Sequence, residues 1–287
     1  MVTIIDGLSL GAIYALIALG YTMVYGIAKM LNFAHGDIIM VGAYAIFVTF
    51  SAVGNPIVAL LAAVVVCTVL GVTVEKLAYK PLRGASPLAV LITAIGVSFL
   101  LQGIAQLIFG SSTNSVNILQ KLGVFNVGSI MISYSSVMTL GIGAILMVGL
   151  TLFVKKTRIG RAMRAVSEDR GAATLMGIDV NKIIMITFAI GSFLAAFASF
   201  FYLSKTPVSP TYGSMPGIKA FAAAVIGGIG SIPGAMLGGM LLGLIETICM
   251  SFESVAKYTT AIEFAVLIII LMIRPIGLLG KKRKVKV

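Results

Sequence analysis

Apolar residues fill this chain in blocks about as long as a bilayer is thick, separated by short polar joints. A helix needs about 20 mostly apolar residues to cross about 30 Å of hydrocarbon. On that measure the spans fall at residues 4–27, 37–53, 57–74, 88–109, 136–154, 183–203, 217–232, 234–250 and 261–273. Several are short or interrupted by glycine and proline, so eight to ten crossings are expected. The fold class is therefore all-α and polytopic, with residues 1–287 read as a single transmembrane domain.

Composition sharpens this picture. The chain is 59% hydrophobic and 10% charged, with a mean hydropathy of +1.11. A water-soluble domain carries roughly 25% charged residues, so the chain has too little polar surface to be one. The net charge of +12 would fit a nucleic-acid partner, but its placement favours a membrane. Seventeen of the 21 lysines and arginines fall after odd-numbered spans or at the end of the chain, and only Lys121, Lys205, Lys219 and Lys257 lie elsewhere. Positive loops stay inside, which predicts that loop 158–182 and the basic tail 281–287 are cytoplasmic. Nine crossings then put the N-terminus outside. The opening MVTIIDGLSL lacks the basic start of a secretory signal, so the first span is expected to be retained. Cys67 and Cys249 both sit in apolar spans, where free thiols behave as small hydrophobes rather than as a disulfide or metal site.

Two regions share a layout. In 20–44 an apolar span runs into KMLNFAHGD and resumes; in 217–250 another runs into GGIGSIPGA and resumes. Interrupted helices in corresponding halves mark solute pathways in transporters. Gly7/Gly11, Gly234/Gly238 and Gly239/Gly243 are small residues spaced four apart, which lets helices approach closely in lipid. Segment 110–135 reads as an ordered loop or short hairpin, and 204–216, with three prolines, as a stiff irregular turn.

The chemistry a catalyst would need is missing. No G-x-x-x-x-G-K-[ST], H-E-x-x-H or G-x-S-x-G occurs, and there is one histidine. The GxG at Gly228 and Gly230 follows no strand and lies at membrane depth. The chain is thus read as a non-enzyme without a cofactor of its own. Its most informative polar segment is 157–182. Ser167 reads as an N-cap followed by Glu168 and Asp169 in a first helical turn, with Gly177 as the stop. That leaves about nine helical residues, about 13 Å long, with Ala172, Ala173 and Met176 on one side. Such a short, self-capped helix suits another protein's groove; an ordinary basic inner loop is the plainer reading.

Asn32, His35 and Asp37 interrupt apolar sequence near the cytoplasmic side by this count. Asp37 is positioned to cap the helix that follows, where free N–H groups favour a negative charge. The same residues, with Phe33, could instead line a path for solute, or relay protons. Tyr21, Tyr25 and Tyr44 flank the break as packing anchors or wall residues. Glu246 either faces such a path or pairs with Lys219 or Lys257. Asp6, Glu253 and Glu263 are expected near span ends or the outer side.

The run GAATLMG, 171–177, is similar to the EAAxxxG coupling motif of ATP-binding-cassette (ABC) importer permeases, with Gly171 where the glutamate usually stands. Together with ALIALGYTMVYGIAKMLNFAHGDIIMVGAY (15–44), KAFAAAVIGGIGSIPGAMLGG (219–239) and RPIGLLG (274–280), it resembles the Liv-type branched-chain amino-acid permeases over essentially the whole chain. The resemblance implies a subunit of the bacterial or archaeal cytoplasmic (inner) membrane. It would pair with a second permease chain as a homo- or heterodimer, dock two separate ATPase subunits that bind the ATP, and receive substrate from an extracytoplasmic solute-binding protein. It implies coupling through Glu168, Asp169, Ala172, Ala173 and Gly177, with Glu168 or Asp169 replacing the missing glutamate. The implied cargo is leucine, isoleucine or valine, with other amino acids, amides or urea open. An ion-gradient-driven secondary transporter and a channel or scaffold are the rival readings.

Overall fold

A computed structural model describes residues 2–116, 118–119, 123–127 and 130–280. The predicted basic tail 281–287 and Lys121 lie outside the described residues. The chain forms helices α1 (Val2–Ala28), α2 (His35–Val53), α3 (Pro56–Val74, prolonged by a π-helical turn Glu75–Tyr79 and a 3-10 turn Lys80–Leu82) and α4 (Pro87–Phe109). A hairpin of β1 (Val124–Val127) and β2 (Ile130–Ser133) follows, then α5 (Tyr134–Lys156), α6 (Arg158–Glu168), α7 (Arg170–Leu175) and α8 (Val180–Leu203). The chain continues through α9 (Ser214–Gly227), α10 (Ile232–Met250), α11 (Glu253–Ala256) and α12 (Thr259–Ile273).

Local chemistry sets these boundaries. Asn55 caps α3 by accepting from the Ile57 N–H, Ser86 caps α4 through Ala89, and Ser231 caps α10 through Gly234; in each case proline occupies the first turn. Among the described residues seven helices are long and apolar enough to cross a membrane, while α9 and α12, at 14 and 15 residues, are shorter. The span expected at 217–232 is displaced: α9 starts at Ser214 and stops at Gly227, because 228–231 forms the turn into α10. Segment 110–135 does contain a hairpin, paired antiparallel from Val124↔Ser133 to Val127↔Ile130. A two-way backbone pairing of Asn114 with Val208 ties that segment to the turn before α9.

The core is built around α1, which is buried almost continuously from Gly11 to Val24. It packs against α8, α9 and α10, whereas α3, α4, α5 and α12 turn Leu, Ile, Val and Phe outward to lipid. Hydrophobic burial drives nothing between helices already in lipid, so close van der Waals approach must do the work. The small residues foreseen in the sequence do this: Gly239 lies on Ala15 and Gly243 on Gly11, and Gly11 itself meets Met240. These pairs run antiparallel along the α1–α10 seam.

Two helices begin partway along the bundle rather than at its end. The His35 ring lies against Gly20, eight residues before the end of α1, which is about 12 Å along the helix. Gln102, which bonds both Asp37 and Ser214, lies fifteen residues into α4, about 22 Å from its start. Residues 29–34 therefore re-enter the bundle before α2 starts, and α9 likewise starts at depth. The two N-termini meet where Gly36 abuts Gly213 and Gly217, an approach any side chain would block. From that meeting point α2 runs towards Gly54, and α9 runs back to the end of the bundle where Gly230 faces Gly26.

Candidate functional site

The first break carries the residues singled out in the sequence, but deeper than expected. The re-entrant linker lifts His35 to the level of Gly20 of α1 and brings Asp37 to Gln102 of α4. Nor is Asp37 an N-cap. The capping position is Ala34, which offers no side-chain bond, and Asp37 sits within the first turn, where its charge still favours the helix N-terminus. Its carboxylate accepts from the Gln102 amide at 2.8 Å, and the same amide reaches Ser98 and Ser214 at 3.2 and 3.3 Å. Asp37 is thus bonded within a patch contributed by α2, α4 and α9.

His35 faces elsewhere. Its ring meets Tyr21 edge-on at 5.0 Å and is enclosed by Gly20 and Gly191. Among the described residues no hydrogen bond links it to Asp37, and its Nε2 has no partner. Tyr21 and Phe33 both pack on Phe221 of α9, at 5.9 and 5.4 Å, which makes an aromatic cluster at the junction of α1, linker and α9. Asn32 lies below it and accepts from the Tyr79 hydroxyl at 2.8 Å. Tyr44 stacks on Phe109 at 4.1 Å, away from this group, and Tyr25 is exposed at the end of α1.

Glu246 is not part of that cluster. Lys219 of α9 reaches it at 2.7 Å and reaches Glu263 of α12 at 3.2 Å, with all three side chains buried and the ammonium 6.0 Å from the Tyr14 ring centre. Of the two lysines weighed as partners, the fold selects Lys219. Glu263 lies one turn from the start of α12, near a span end as expected, but it is 2% exposed and belongs to the triad. Asp6 accepts from Ser136 at 2.6 Å. The helix α9 joins the two groups: Ser214, Gly217 and Phe221 touch the first break, and Lys219 holds the triad.

At the far end, segment 158–182 folds differently from the sequence expectation. Helix α6 continues through Ser167 and Glu168, because Met163 and Val166 bury its inner side. Asp169 then takes an extended conformation and caps α7, accepting from the Ala172 N–H at 3.0 Å. The helix is six residues long, not nine, and Ser167 is not its cap. Gly177 does end it: at φ +79° its N–H bonds Thr174 O, and the Ile178 N–H reaches back to Ala173 O. Ala173 faces inward, whereas Leu175 and Met176 are 90% and 82% exposed. Ala172, Leu175 and Met176, rather than an alanine face, form the outer surface.

This pair of helices is fastened to the core. Ser167 donates to Gly26 O at 2.8 Å, and Arg170 donates to Ile27 O at 3.3 Å and to Ala28 O. These are the last carbonyls of α1, where a cation is favoured. Burial, and then the nearby charge of Arg83, lower the Arg170 pKa from its ordinary value. Arg83 itself pairs with Glu75 and Asn181. Sequence reasoning passed over Gln102, Tyr79, Glu75 and the Arg170 latch. A glutamine inside an apolar span was a usable signal for the first; the others needed the fold.

A family model described as branched-chain amino acid transport system / permease component matches residues 3–271. The high-affinity branched-chain amino acid transport system permease protein BraD of Pseudomonas aeruginosa is 40% identical, over 99% of this chain and 97% of that protein. The corresponding permease protein LivH of Escherichia coli is also 40% identical, over 98% and 96%. Among solved structures, a chain of a metal-chelate type ABC transporter in an inward-facing conformation aligns with a TM-score of 0.53 at 14% identity, covering 94% of this chain and 85% of that one. That last likeness is one of fold.

Proposed function

This chain belongs to the branched-chain amino acid transport permease family, and from that premise we propose that it forms half of the membrane pathway of an ABC importer for leucine, isoleucine, valine or related amino acids. The observation that carries this reading is α7: a short, self-capped helix with Leu175 and Met176 standing in solvent and its base bonded to the end of the central helix. An exposed apolar pair on a rigid, capped helix fits a groove on a separate subunit. Since the chain has no P-loop, that subunit is the ATPase, and the end of the bundle bearing α7 is cytoplasmic.

In this mechanism ATPase closure pushes α7. Asp169 and Gly177 keep the helix intact, and Ser167 and Arg170 pass the displacement to α1. Because α1 lies along α10 and beside α9, a shift of α1 alters the packing at Gly36, Gly213 and Gly217. Asn32, Phe33, His35 and Asp37 surround that junction and supply the polar and aromatic surface past which solute moves. A second permease chain completes the path, and a solute-binding protein loads it from the other side. Glu246 takes the role of a structural partner to Lys219 rather than a wall residue.

The deciding experiment isolates the chain in mild detergent from its own host and identifies what accompanies it. Recovery of an ATPase with a second permease, and uptake in vesicles that requires ATP, is expected. A chain that comes alone and moves solute without ATP would overturn the reading in favour of an ion-driven transporter.

A further inference from the structure

Helix α12 has few inward contacts of its own, for only Thr259 and Glu263 among its residues are fully buried. Glu263 enters the triad with Lys219 and Glu246, and the charges of that triad do not balance. The Lys219 ammonium lies 2.7 Å from Glu246 Oε1 and 3.3 and 3.2 Å from Oε1 and Oε2 of Glu263, so one cation faces two carboxyl groups. The three side chains are between 2% and 8% exposed. Glu246 Oε2 and Glu263 Oε2 are buried and accept no hydrogen bond among the described residues. The two carboxyl groups lie within hydrogen-bonding reach of each other all the same. The groups that face them from the neighbouring helices, Tyr14 of α1 and Tyr202 of α8, are phenols and bring no positive charge. Lys205 is turned to Ser9 at 3.2 Å, and Lys257 is exposed.

We propose that Glu246 and Glu263 share one proton, which makes the triad a neutral proton-binding site and fastens α12 to α9 and α10. Fully ionised, the three side chains would bury one uncompensated negative charge among helices, where water cannot solvate it. Two carboxylates held together avoid that by keeping one proton, which belongs to the pair rather than to either residue. The proton comes from water and sits between oxygens that have no other donor. One carboxylate charge then remains to meet the one ammonium. Release of the proton at alkaline pH sets two anions against a single cation and loosens α12. The proposal rests on the burial and geometry of these side chains, and not on the cargo or the ATPase.

The test compares thermal unfolding of the full chain and of Glu246→Gln in detergent across pH. In the variant Lys219 meets Glu263 as a simple ion pair, and no extra proton is bound. In the native chain the folded form keeps a proton that the unfolded form has lost above the ordinary glutamate value of about 4.3. Its folding equilibrium should therefore fall by up to about tenfold per pH unit, until the folded form releases the proton as well. The melting temperature of the native chain should thus decline relative to Glu246→Gln as pH rises from about 5 to about 9, and Glu263→Gln should match Glu246→Gln. A difference that does not change with pH would overturn the proposal. So would one that follows sodium concentration instead, because a metal ion would then occupy the gap. If neither variant folds, infrared spectra of the native chain with carbon-13-labelled glutamate carry the result. They should show a protonated glutamic acid at neutral pH that ionises on alkaline titration, and its absence would overturn the proposal.

Discussion

The Lys219–Glu246–Glu263 triad buries three ionisable side chains against one another. Charges buried in a membrane helix need partners, and removing one partner of a buried pair costs about 3–5 kcal/mol. Here two carboxylates share one ammonium, so the substitutions are not equivalent. Lys219→Met strands both carboxylates and is expected to lower thermal stability in detergent by several degrees or to abolish folding. Glu246→Gln leaves one ammonium with one carboxylate and keeps a hydrogen-bonding side chain, so its loss should be much smaller. Equal losses in the two variants would mean that the triad is not the lock joining α9, α10 and α12. The sequence narrowed the partner of Glu246 to two lysines; choosing between them required the position of α9, which no local pattern encodes. The burial of Glu263 was hidden for the same reason, since it comes from neighbouring helices rather than from its own segment.

For single elements, the helix stop at Gly177 was legible, whereas the starts of α2 and α7 and the length of α7 were not. Gly177 was identified as a helix stop because a left-handed residue there costs a non-glycine strain. The start was placed at Ser167 because serine and aspartate cap equally well, and burial of Met163 and Val166 then extended α6 past it. The exposed surface of α7 yields a prediction that separates docking from transmission. Leu175→Ser with Met176→Ser should strip the ATPase from the purified complex by tenfold or more while leaving helical content unchanged. Arg170→Gln should retain the ATPase and its ATP hydrolysis but reduce uptake per ATP consumed, because the α1 carbonyls lose their tie. If Arg170→Gln instead releases the ATPase, the residue belongs to the docking surface and the latch account fails.

Across the whole molecule, the charge asymmetry predicts sidedness and the structure supplies the places to measure it. Val124 and Leu175 are both exposed at opposite ends of the bundle, and Cys67 and Cys249 are buried. A Val124→Cys variant should react with a membrane-impermeant maleimide in intact cells, and Leu175→Cys only after permeabilisation. The reverse result would invert the topology. The sequence by itself determined the class of protein, the approximate spans, the glycine seams and the helix stop at Gly177. Each of these depends on hydrophobicity summed along one segment or on the backbone freedom of one residue. Only the tertiary structure decided that α2 and α9 start partway along the bundle, that Asp37 turns to Gln102 while His35 turns to Tyr21, and that Arg170 fastens α7 to α1. Those outcomes are contacts between segments far apart in the chain, and the depth at which a helix begins is set by what it packs against rather than by its own composition.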